Sequence, residues 1–446
     1  MKRTFFGTIL AVAACATLPA AVPSVTDVAM VQANDRLVTI TYTLSNAPAV
    51  VTLDVQTNAT ANAAADDAGW TSIGGDGVWN AMGDVWKKVA TGAHTITWRP
   101  DVSWPDHKIE NDCARAVVTA WATNNTPAYM VVNLALDKTA DGFLTFYPGE
   151  AYLPKSEPSQ TKAITQNPEY KTNKLVMRKI MAAGVTWTMG SATTEPGRNS
   201  ENEIAHQVTL ADNYYIGVFP ITQYQYYAAG GTSGGNYPHQ NTPQFTVEAS
   251  MRPVESIAGN AIRKRGFKTS PSNGTFLYAL RDKTGILFDL PFETQWEFAA
   301  RAGWGSGFWG NGRSIESSDA NRALADLGRF GLTYSSDGTI APADGGTPIV
   351  GRYEPNDWGL YDMFGCVRQA CLDVYSEDNT ELTEDQIDGG NSNKTRVARG
   401  GAWCDTWDKC RPAARSTYLD APNASQMNST DKGRVGFRVV CPVGIQ

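Results

Sequence analysis

Cysteines are the residues of this chain whose number and spacing could do chemistry. Apart from Cys15 near the N-terminus there are six, namely Cys113, Cys366, Cys371, Cys404, Cys410 and Cys441. Cys404 and Cys410 lie six positions apart in one short segment. An even number of cysteines in an exported chain permits disulfides, although the pairing cannot be deduced from sequence. The four histidines are scattered singly, and none has zinc-type spacing.

The sequence does not indicate the arrangement of catalytic residues that is typical of hydrolases. No Gly-x-Ser-x-Gly nucleophile elbow stands between a predicted strand and a predicted helix. Glu293 and Glu297 lie one helical turn apart and look like a carboxylate pair. On a helix, carboxylates at this spacing are ordinarily solvent-facing or loop-anchoring, so we expect neither to act in catalysis.

The elements that must position the C-terminal cysteines are short strands and a few helices. One helix is predicted through Phe276 and Leu280, capped by Ser272 or Asn273 and ended by Gly285. A second helix is predicted over the segment that carries Glu293 and Glu297, because the apolar residues of that segment fall on one helical face. The long remaining stretches have no clear period, which indicates loops.

Eight short segments occur in a fixed order between Gly184 and Val440. They read VTWTMGS at 185–191, HQVTL at 206–210, YIGVFPIT at 215–222, LPFETQWEFAAR at 290–301, GLYDM at 359–363, RGGAW at 399–403, CRPAAR at 410–415 and GFRVV at 436–440. Each is weak alone, but in this order they strongly resemble the domain of the formylglycine-generating enzyme, or sulfatase-modifying factor, family. We place that domain at residues 176–446, about the size of one large domain.

The resemblance implies a fold class and two kinds of function. The family's fold is an irregular, loop-rich variant of the C-type lectin fold, so an α+β domain is expected. Its members include copper-dependent oxidases that convert a sulfatase cysteine to formylglycine, and also non-catalytic binding proteins. The oxidases carry two cysteines, five positions apart, just after an Arg-Gly-Gly strand. Their thiolates bind copper(I), which prefers soft sulfur ligands.

Cys404 and Cys410 are the residues that separate these two functions. Counted from Gly400-Gly401, Cys410 takes the place of the second catalytic cysteine, but Cys404 comes one residue too early. A slip of one residue along an extended segment turns a side chain to the opposite face. Many relatives without the oxidase pair also carry a cysteine at the position of Cys410. A structural disulfide or a buried thiol is therefore favoured over a copper(I) site.

A calcium site is the second feature that the resemblance implies. The family builds it from an Asn or Asp side chain, two backbone carbonyls and a Glu, which are the oxygen ligands that Ca²⁺ prefers. The matching positions here are Asp362, Gly365, Val367 and Gln369. Gln369 in place of Glu removes one negative charge and bidentate binding. A weakened Ca²⁺ site and no site both stay open.

A second calcium site of the family maps to Asn321 and the backbone of Arg322. Asp344 is a poorly aligned third ligand of this site. The cofactors that follow from the resemblance are therefore Ca²⁺, and Cu⁺ only if the protein is an oxidase.

The N-terminus indicates export. Residues 1–20 combine a basic start, a short apolar run and small residues at the end, which is typical of a secretory signal peptide. The apolar run is too short to span a bilayer, so we expect a secreted, periplasmic or cell-surface protein. Cys15 ends a segment that resembles a lipobox and is a candidate lipid anchor. The alternative is that Cys15 is one more apolar residue of the signal.

Residues 21–136 have the two-residue period of β-strands. In the segment 37–44, for example, apolar residues alternate with Thr. Many short strands with little helix predict an immunoglobulin- or fibronectin-like β-sandwich, although the Cys pair of an immunoglobulin domain is absent from the sequence. Residues 137–175 are predicted to be a connector that is ordered against one of the domains.

The charge and the aromatic content of the chain limit the kinds of partner that it can bind. With 38 basic and 45 acidic residues, the chain has no signature of nucleic-acid binding. Loop segments carry the aromatic residues Trp304, Phe308, Trp309, Tyr353, Trp358, Trp403, Trp407 and Tyr418. We expect most of them to fill an irregular core, and Trp407 to be the most exposed.

The sequence therefore leaves three hypotheses for the function of the protein. The favoured one is an atypical family member that binds a protein, peptide or glycan ligand. The alternative is the copper-dependent oxidase, with Cys404 and Cys410 as catalytic residues. A third is a cell-surface or matrix component in which the sandwich mediates attachment, and a lipid on Cys15 would favour it.

Overall fold

A computed structural model describes most of the chain. The described residues are 22–32, 36–110, 112–231, 247–263, 270–316, 320–334, 340–342, 346–380, 395–419 and 434–445. The predicted signal peptide with Cys15, and Asp344 of the predicted second calcium site, lie outside these residues.

Short strands dominate the described part of the chain. They are β1 Ser24–Gln32, β2 Val38–Ser45, β3 Ala49–Thr57, β4 Thr71–Ser72, β5 Met82–Gly83, β6 Lys88–Val89, β7 Gly92–Trp98, β8 Ala114–Ala122, β9 Tyr129–Asn133, β10 Leu144–Tyr147, β11 Lys174–Ile180, β12 Thr186–Met189, β13 His206–Thr209, β14 Tyr214–Gly217, β15 Leu332–Tyr334, β16 Ile340–Pro342, β17 Arg368–Val374, β18 Thr395–Arg399, β19 Arg415–Leu419, β20 Val435–Gly436 and β21 Val440–Pro442.

The helices of the same part are short. They are α1 Gly75–Val78, α2 Pro100–Ser103, α3 Ala163–Gln166, α4 Gln223–Ala228, α5 Val247–Ser250, α6 Gly259–Ile262, α7 Phe276–Thr284, α8 Glu293–Arg301 and α9 Ala320–Leu327, with 3-10 turns at Glu150–Tyr152, Pro168–Lys171 and Trp407–Lys409. No described helix has both the length and the apolar character that crossing a bilayer requires.

Two antiparallel sheets form the N-terminal region. One has the strand order β1-β2-β7-β5, and in the other β3 pairs with β8 along its length and with β4 and β6 at its two ends. Alternate residues of β2 are buried, which confirms the predicted two-residue period. Buried side chains of β2, β3 and β7 meet in one apolar cluster. The predicted β-rich N-terminal region is therefore present.

The C-terminal region is an α+β arrangement, as the resemblance implies. Its main sheet is antiparallel with the order β10-β9-β11-β14-β21. A second sheet, β19-β18-β17-β20, is antiparallel except for the parallel pair β17–β20. Helix α8 has all nine of its residues buried and packs against both β17 and β18.

The two regions share strands and core. Strand β9 lies within residues 21–136 and β10 within the predicted connector, yet β9 pairs with β11 of the main C-terminal sheet. Val51 and Leu53 of the N-terminal region belong to the same apolar cluster as Val176 and Phe219. The domain boundaries drawn from the sequence stay predictions, and the core that crosses them is continuous.

The two ends of helix α7 show how the local sequence determines where a helix begins and ends. It ends at Gly285, whose φ of 72° is easily adopted by glycine, and this confirms the predicted stop. Its N-cap is Thr275, whose hydroxyl accepts from the Tyr278 backbone N–H, so the predicted cap at Ser272 or Asn273 is three or two residues too early. Ser272 instead accepts from the Thr275 hydroxyl through its carbonyl at 2.8 Å.

Candidate functional site

The two cysteines that could carry oxidase chemistry lie in the loop that follows β18. Gly400 and Gly401 open this loop with φ values of 90° and 70°. A Cβ atom on Gly401 would stand 2.5 Å from the Cys410 sulfur. Glycine is therefore needed at position 401, because it lets Cys410 pack directly against the backbone.

Cys410 and Cys404 differ in their exposure. Cys410 is completely buried, and burial raises the pKa of its thiol well above the ordinary value. Cys404 is half-buried, and partial burial also raises the pKa of its thiol. All six cysteines from Cys113 onward are described and free. The disulfide expected from the sequence is therefore not formed in this structure.

An ion pair holds the loop between these cysteines. Arg368, at the start of β17, donates from Nε and Nη2 to the two carboxylate oxygens of Asp405, both at 2.8 Å. One of those oxygens also accepts the Ala402 backbone N–H at 2.9 Å. This bidentate pair clamps the loop between the two cysteines to the start of β17.

Copper(I) bound by two cysteines requires both sulfurs as thiolates on one metal. The Cys410 thiol is completely buried and its raised pKa favours the protonated form. Asp405 and Asp408 add negative charge nearby, which disfavours the thiolate further. A copper(I) site here would have to form with loss of the Cys410 proton on metal binding, inside the domain.

Gln369, at the predicted calcium site, already uses its side-chain oxygen for other partners. The oxygen accepts from Trp296 Nε1 at 2.7 Å and from Arg438 Nε at 2.8 Å. The amide nitrogen of Gln369 donates to the Asp362 backbone carbonyl at 2.8 Å. Gln369 is completely buried, and in this conformation it does not fit the role of a cation ligand.

Asp362 is the predicted ligand that fits better. It is buried, one carboxylate oxygen accepts the Gly351 N–H at 2.7 Å, and the other accepts no hydrogen bond from the described residues. Burial raises the pKa of Asp362 to about 6. Gly365 and Val367 follow in the same turn, and a side chain at Gly365 would collide with the Arg329 carbonyl. The structure thus brings the four predicted residues into one buried segment.

The second predicted calcium site is only partly described. Asn321 and Arg322 lie in the first turn of α9, and the Arg322 side chain is exposed. Among the residues that the structure describes, no three or more His, Cys, Asp and Glu side chains are grouped to hold a metal.

Sequence reasoning missed a buried ionic network on α8. Glu293 and Glu297 are both completely buried, so the expectation that they face solvent is wrong. Arg399 reaches both: its Nε lies 3.0 Å from Glu293 and its Nη2 pairs with Glu297. Arg301 and Arg415 complete the network at 2.7 Å each. The two carboxylates anchor β18 and β19 to the helix, which is the loop-anchoring role that was the other expectation.

A second ionic network links the Cys410 segment to distant loops. Arg411 contacts Glu195 at 2.6 Å and Glu203 at 2.7 Å, and all three side chains are buried. Because each charge has an opposite charge as partner, the network can remain ionised inside the domain. The CRPAAR segment therefore serves packing and connection.

The aromatic residues divide between the core and the surface. Trp309 and Tyr418 are buried, as expected for most of the set. Trp407 is half-buried and packs against Gly197, so it is less exposed than predicted. Trp304 and Phe308 are instead 39% and 38% exposed. Nothing in the sequence neighbours of these residues distinguishes the two groups.

Comparison with known proteins gives a clear domain match. Residues 165–443 match the model of the "Sulfatase-modifying factor enzyme 1-like domain". "Serine/threonine-protein kinase pkn1" of Chlamydia pneumoniae is 27% identical over 274 residues, which are 60% of this chain and 39% of that protein. "Formylglycine-generating enzyme" of Thermomonospora curvata is 28% identical over 153 residues, or 33% of this chain and 48% of that enzyme. The chain thus spans less than half the length of these relatives.

Two solved structures are also similar. "Treponema denticola variable protein 1" has a TM-score of 0.44 and 20% identity and covers 60% of this chain and 95% of that protein. PvdO from Pseudomonas aeruginosa has a TM-score of 0.44 and 22% identity, covering 60% of this chain and 94% of the other.

Proposed function

The chain belongs to the sulfatase-modifying factor enzyme 1-like family, and within it we propose an exported, non-catalytic member that binds a protein, peptide or glycan ligand. The burial of the Cys410 thiol carries this proposal. An oxidase needs that sulfur as a thiolate that metal and substrate can reach. Here Cys410 lies behind Gly401, with its pKa raised.

The contacts around the cysteines also support a structural role for the loop. The Arg368–Asp405 pair and the Arg411 network fix the segment on both sides of Cys410. Any movement of this segment to open Cys410 to a metal and a substrate would disturb these ion pairs. Separating a buried charge from its partner is costly, about 3–5 kcal/mol.

A copper and oxygen assay tests the proposal. The mature protein would be loaded with copper(I) and incubated in air with a peptide that contains Cys-x-Pro-x-Arg, and the peptide mass would be followed. We expect no conversion of thiol to aldehyde, whereas the Thermomonospora curvata enzyme serves as the positive control. Aldehyde formation that is lost in both Cys404→Ser and Cys410→Ser would establish the oxidase alternative and overturn the binding role.

Export is part of the proposal and needs its own measurement. Residues 1–20 support a signal peptide and Cys15 supports a lipid anchor as the alternative to a released protein. Expression of the full chain in a bacterium, followed by fractionation and mass analysis of the N-terminus, separates these outcomes. Cleavage near residue 20 is expected. An acylated Cys15 would instead favour a cell-surface component, and an uncleaved cytoplasmic chain would contradict export.

A further inference from the structure

Two exposed aromatic rings form a small platform on the C-terminal region. Trp304 and Phe308 are 39% and 38% exposed, and their ring centroids lie 5.8 Å apart. The ring planes are inclined by 38°. Large aromatic side chains are usually buried, so two adjacent exposed rings indicate a surface that contacts a ligand. We call these two residues the aromatic platform.

The indole of Trp304 is held in place. Its Nε1 donates to Asp357 Oδ2 at 2.7 Å. The ring also lies directly against Gly312, where any side chain would collide with it. One hydrogen bond and one close glycine contact therefore fix the orientation of the ring, although the residue remains exposed.

The backbone that carries the platform is anchored on both sides. Glu195 accepts the Gly307 N–H at 2.7 Å, and Arg301 donates to the Gly305 carbonyl at 3.1 Å. The Asp357 N–H donates to the Gly310 carbonyl at 2.9 Å. Because the loop is already ordered, a ligand would not have to supply the free energy of ordering it.

The charges beside the platform limit the ligand. Asp326, Glu354 and Asp357 are exposed here, and Arg313 pairs with the first two of them. Arg322, four residues before Asp326, and Arg352, two residues before Glu354, are also exposed, so carboxylates and guanidiniums are equal in number on these segments. A surface without excess charge attracts neither anions nor cations strongly, so the charge balance favours a neutral ligand.

The size of the platform argues against a protein partner. Two partly exposed rings offer much less than the roughly 800 Å² that each partner buries in a stable protein complex. A sugar ring instead presents one apolar C–H face that matches an aromatic ring, with hydroxyl groups at its edge. The exposed carboxylate of Asp357, which contacts the Trp304 indole, and the amide of Asn311, next to Gly312, can accept and donate hydrogen bonds at that edge.

We propose that the aromatic platform binds a neutral polysaccharide by stacking of Trp304 and Phe308 on its pyranose rings. This inference rests on the proposed binding function and names the ligand class. Trp304 contributes most, because its orientation is fixed by Asp357 and Gly312. Phe308 extends the apolar surface along the chain of the polysaccharide.

Affinity electrophoresis of the mature full-length protein tests the proposal. Native gels would contain hydroxyethyl cellulose, laminarin, xylan or mannan, each over a range of concentrations. We expect at least one of these neutral polysaccharides to retard the protein. Trp304→Ala should weaken that binding by about tenfold or more, which corresponds to about 1.4 kcal/mol. Phe308→Ala should weaken it less, and Trp304→Phe should retain part of it.

Tyr278→Ala is the matched control, since Tyr278 is 41% exposed on α7, away from the loop. It should bind as the wild type does, and unchanged melting temperatures would show that all variants are folded. Absence of retardation by every polysaccharide, or equal binding by wild type and Trp304→Ala, overturns the proposal. Binding of a peptide array that is lost in Trp304→Ala would overturn the glycan ligand while the binding function stands. Aldehyde formation in the copper assay would overturn the binding function instead.

Discussion

Arg438 donates from Nε to the Gln369 side-chain oxygen at 2.8 Å, in the segment where the family resemblance implies a calcium ion. The same guanidinium donates to the backbone carbonyls of Gly217, Val218 and Tyr361. Arg438 is completely buried, and burial lowers its pKa to about 9. A protein cation thus satisfies several oxygens of this segment.

Removal of Arg438 should be strongly destabilising. Arg438→Met removes the donor to the Gly217 and Tyr361 carbonyls, whereas Gln369 keeps Trp296 Nε1 and the Val218 carbonyl keeps the Tyr361 N–H. Each buried acceptor left unpaired costs about 1–3 kcal/mol. We expect the free energy of unfolding, measured by urea denaturation, to fall by about 3 kcal/mol or more. Arg352→Met, which changes an exposed arginine, should have little effect. A loss below about 1 kcal/mol for Arg438→Met would show that the buried donors are dispensable.

Calcium dependence should appear only after Gln369 is changed. In Gln369→Glu an oxygen replaces the amide nitrogen that donates to the Asp362 carbonyl at 2.8 Å, so two oxygens would face each other. The Glu supplies the negative charge that Gln369 lacks, and a bound Ca²⁺ would remove the repulsion between the two oxygens. We expect a melting temperature that rises with Ca²⁺ over EDTA in the variant and stays constant in the wild type. Ca²⁺ at one hundred times its dissociation constant adds about 2.7 kcal/mol.

The control for this experiment is Mg²⁺, which demands a tighter octahedral site and should stabilise the variant less. A wild-type protein that is itself stabilised by Ca²⁺ would mean that Gln369 changes its partners on binding. No response in either protein would mean that the site is lost.

The cysteines should behave as free thiols of very different reactivity. A short pulse of maleimide on the native protein should label Cys404 slowly and leave Cys410 unlabelled, because Cys410 is completely buried and its pKa is raised. After unfolding without reductant, both should carry the label in peptide mass mapping. Cysteines that become reactive only after reduction would instead reveal the disulfide that the export signal suggests.

The order of the eight segments was sufficient to predict the fold class, because each segment occupies an element or a turn of the domain. The local signal for α7 predicted its end at Gly285, where the backbone geometry itself favours glycine. These features depend on residues that are close together in the chain. Sequence is informative where the physical cause is local.

The surroundings of α8 could not be predicted in the same way. Glu293 and Glu297 are buried because Arg399 and Arg415, about a hundred residues later, bring the compensating charges. A helical pattern alone gives no information on such distant partners, and carboxylates without partners belong at the surface. The same holds for Trp304, whose exposure depends on contacts with Gly312 and Asp357.

Stability should depend on pH through Glu255. This residue is only 1% exposed, and burial raises its pKa from 4.5 to about 7. Between these pH values the folded protein holds a proton that the unfolded chain has released, so the stability that Glu255 contributes is fully present below about pH 4.5 and is lost as the pH rises to 7. The loss amounts to about 3 kcal/mol, since one unit of pKa difference is worth about 1.4 kcal/mol.

Glu255→Gln should remove this part of the pH dependence, because the amide cannot ionise. Urea unfolding between pH 4.5 and 8 should show a shallower decline for the variant, and greater stability than the wild type at pH 8. Some decline will remain from Asp362 and Asp373, whose pKa values burial raises to about 6 and about 7. Glu157→Gln, a change at an exposed glutamate, should follow the wild type. Equal slopes for Glu255→Gln and wild type would show that Glu255 is ionised throughout and has a partner in solution.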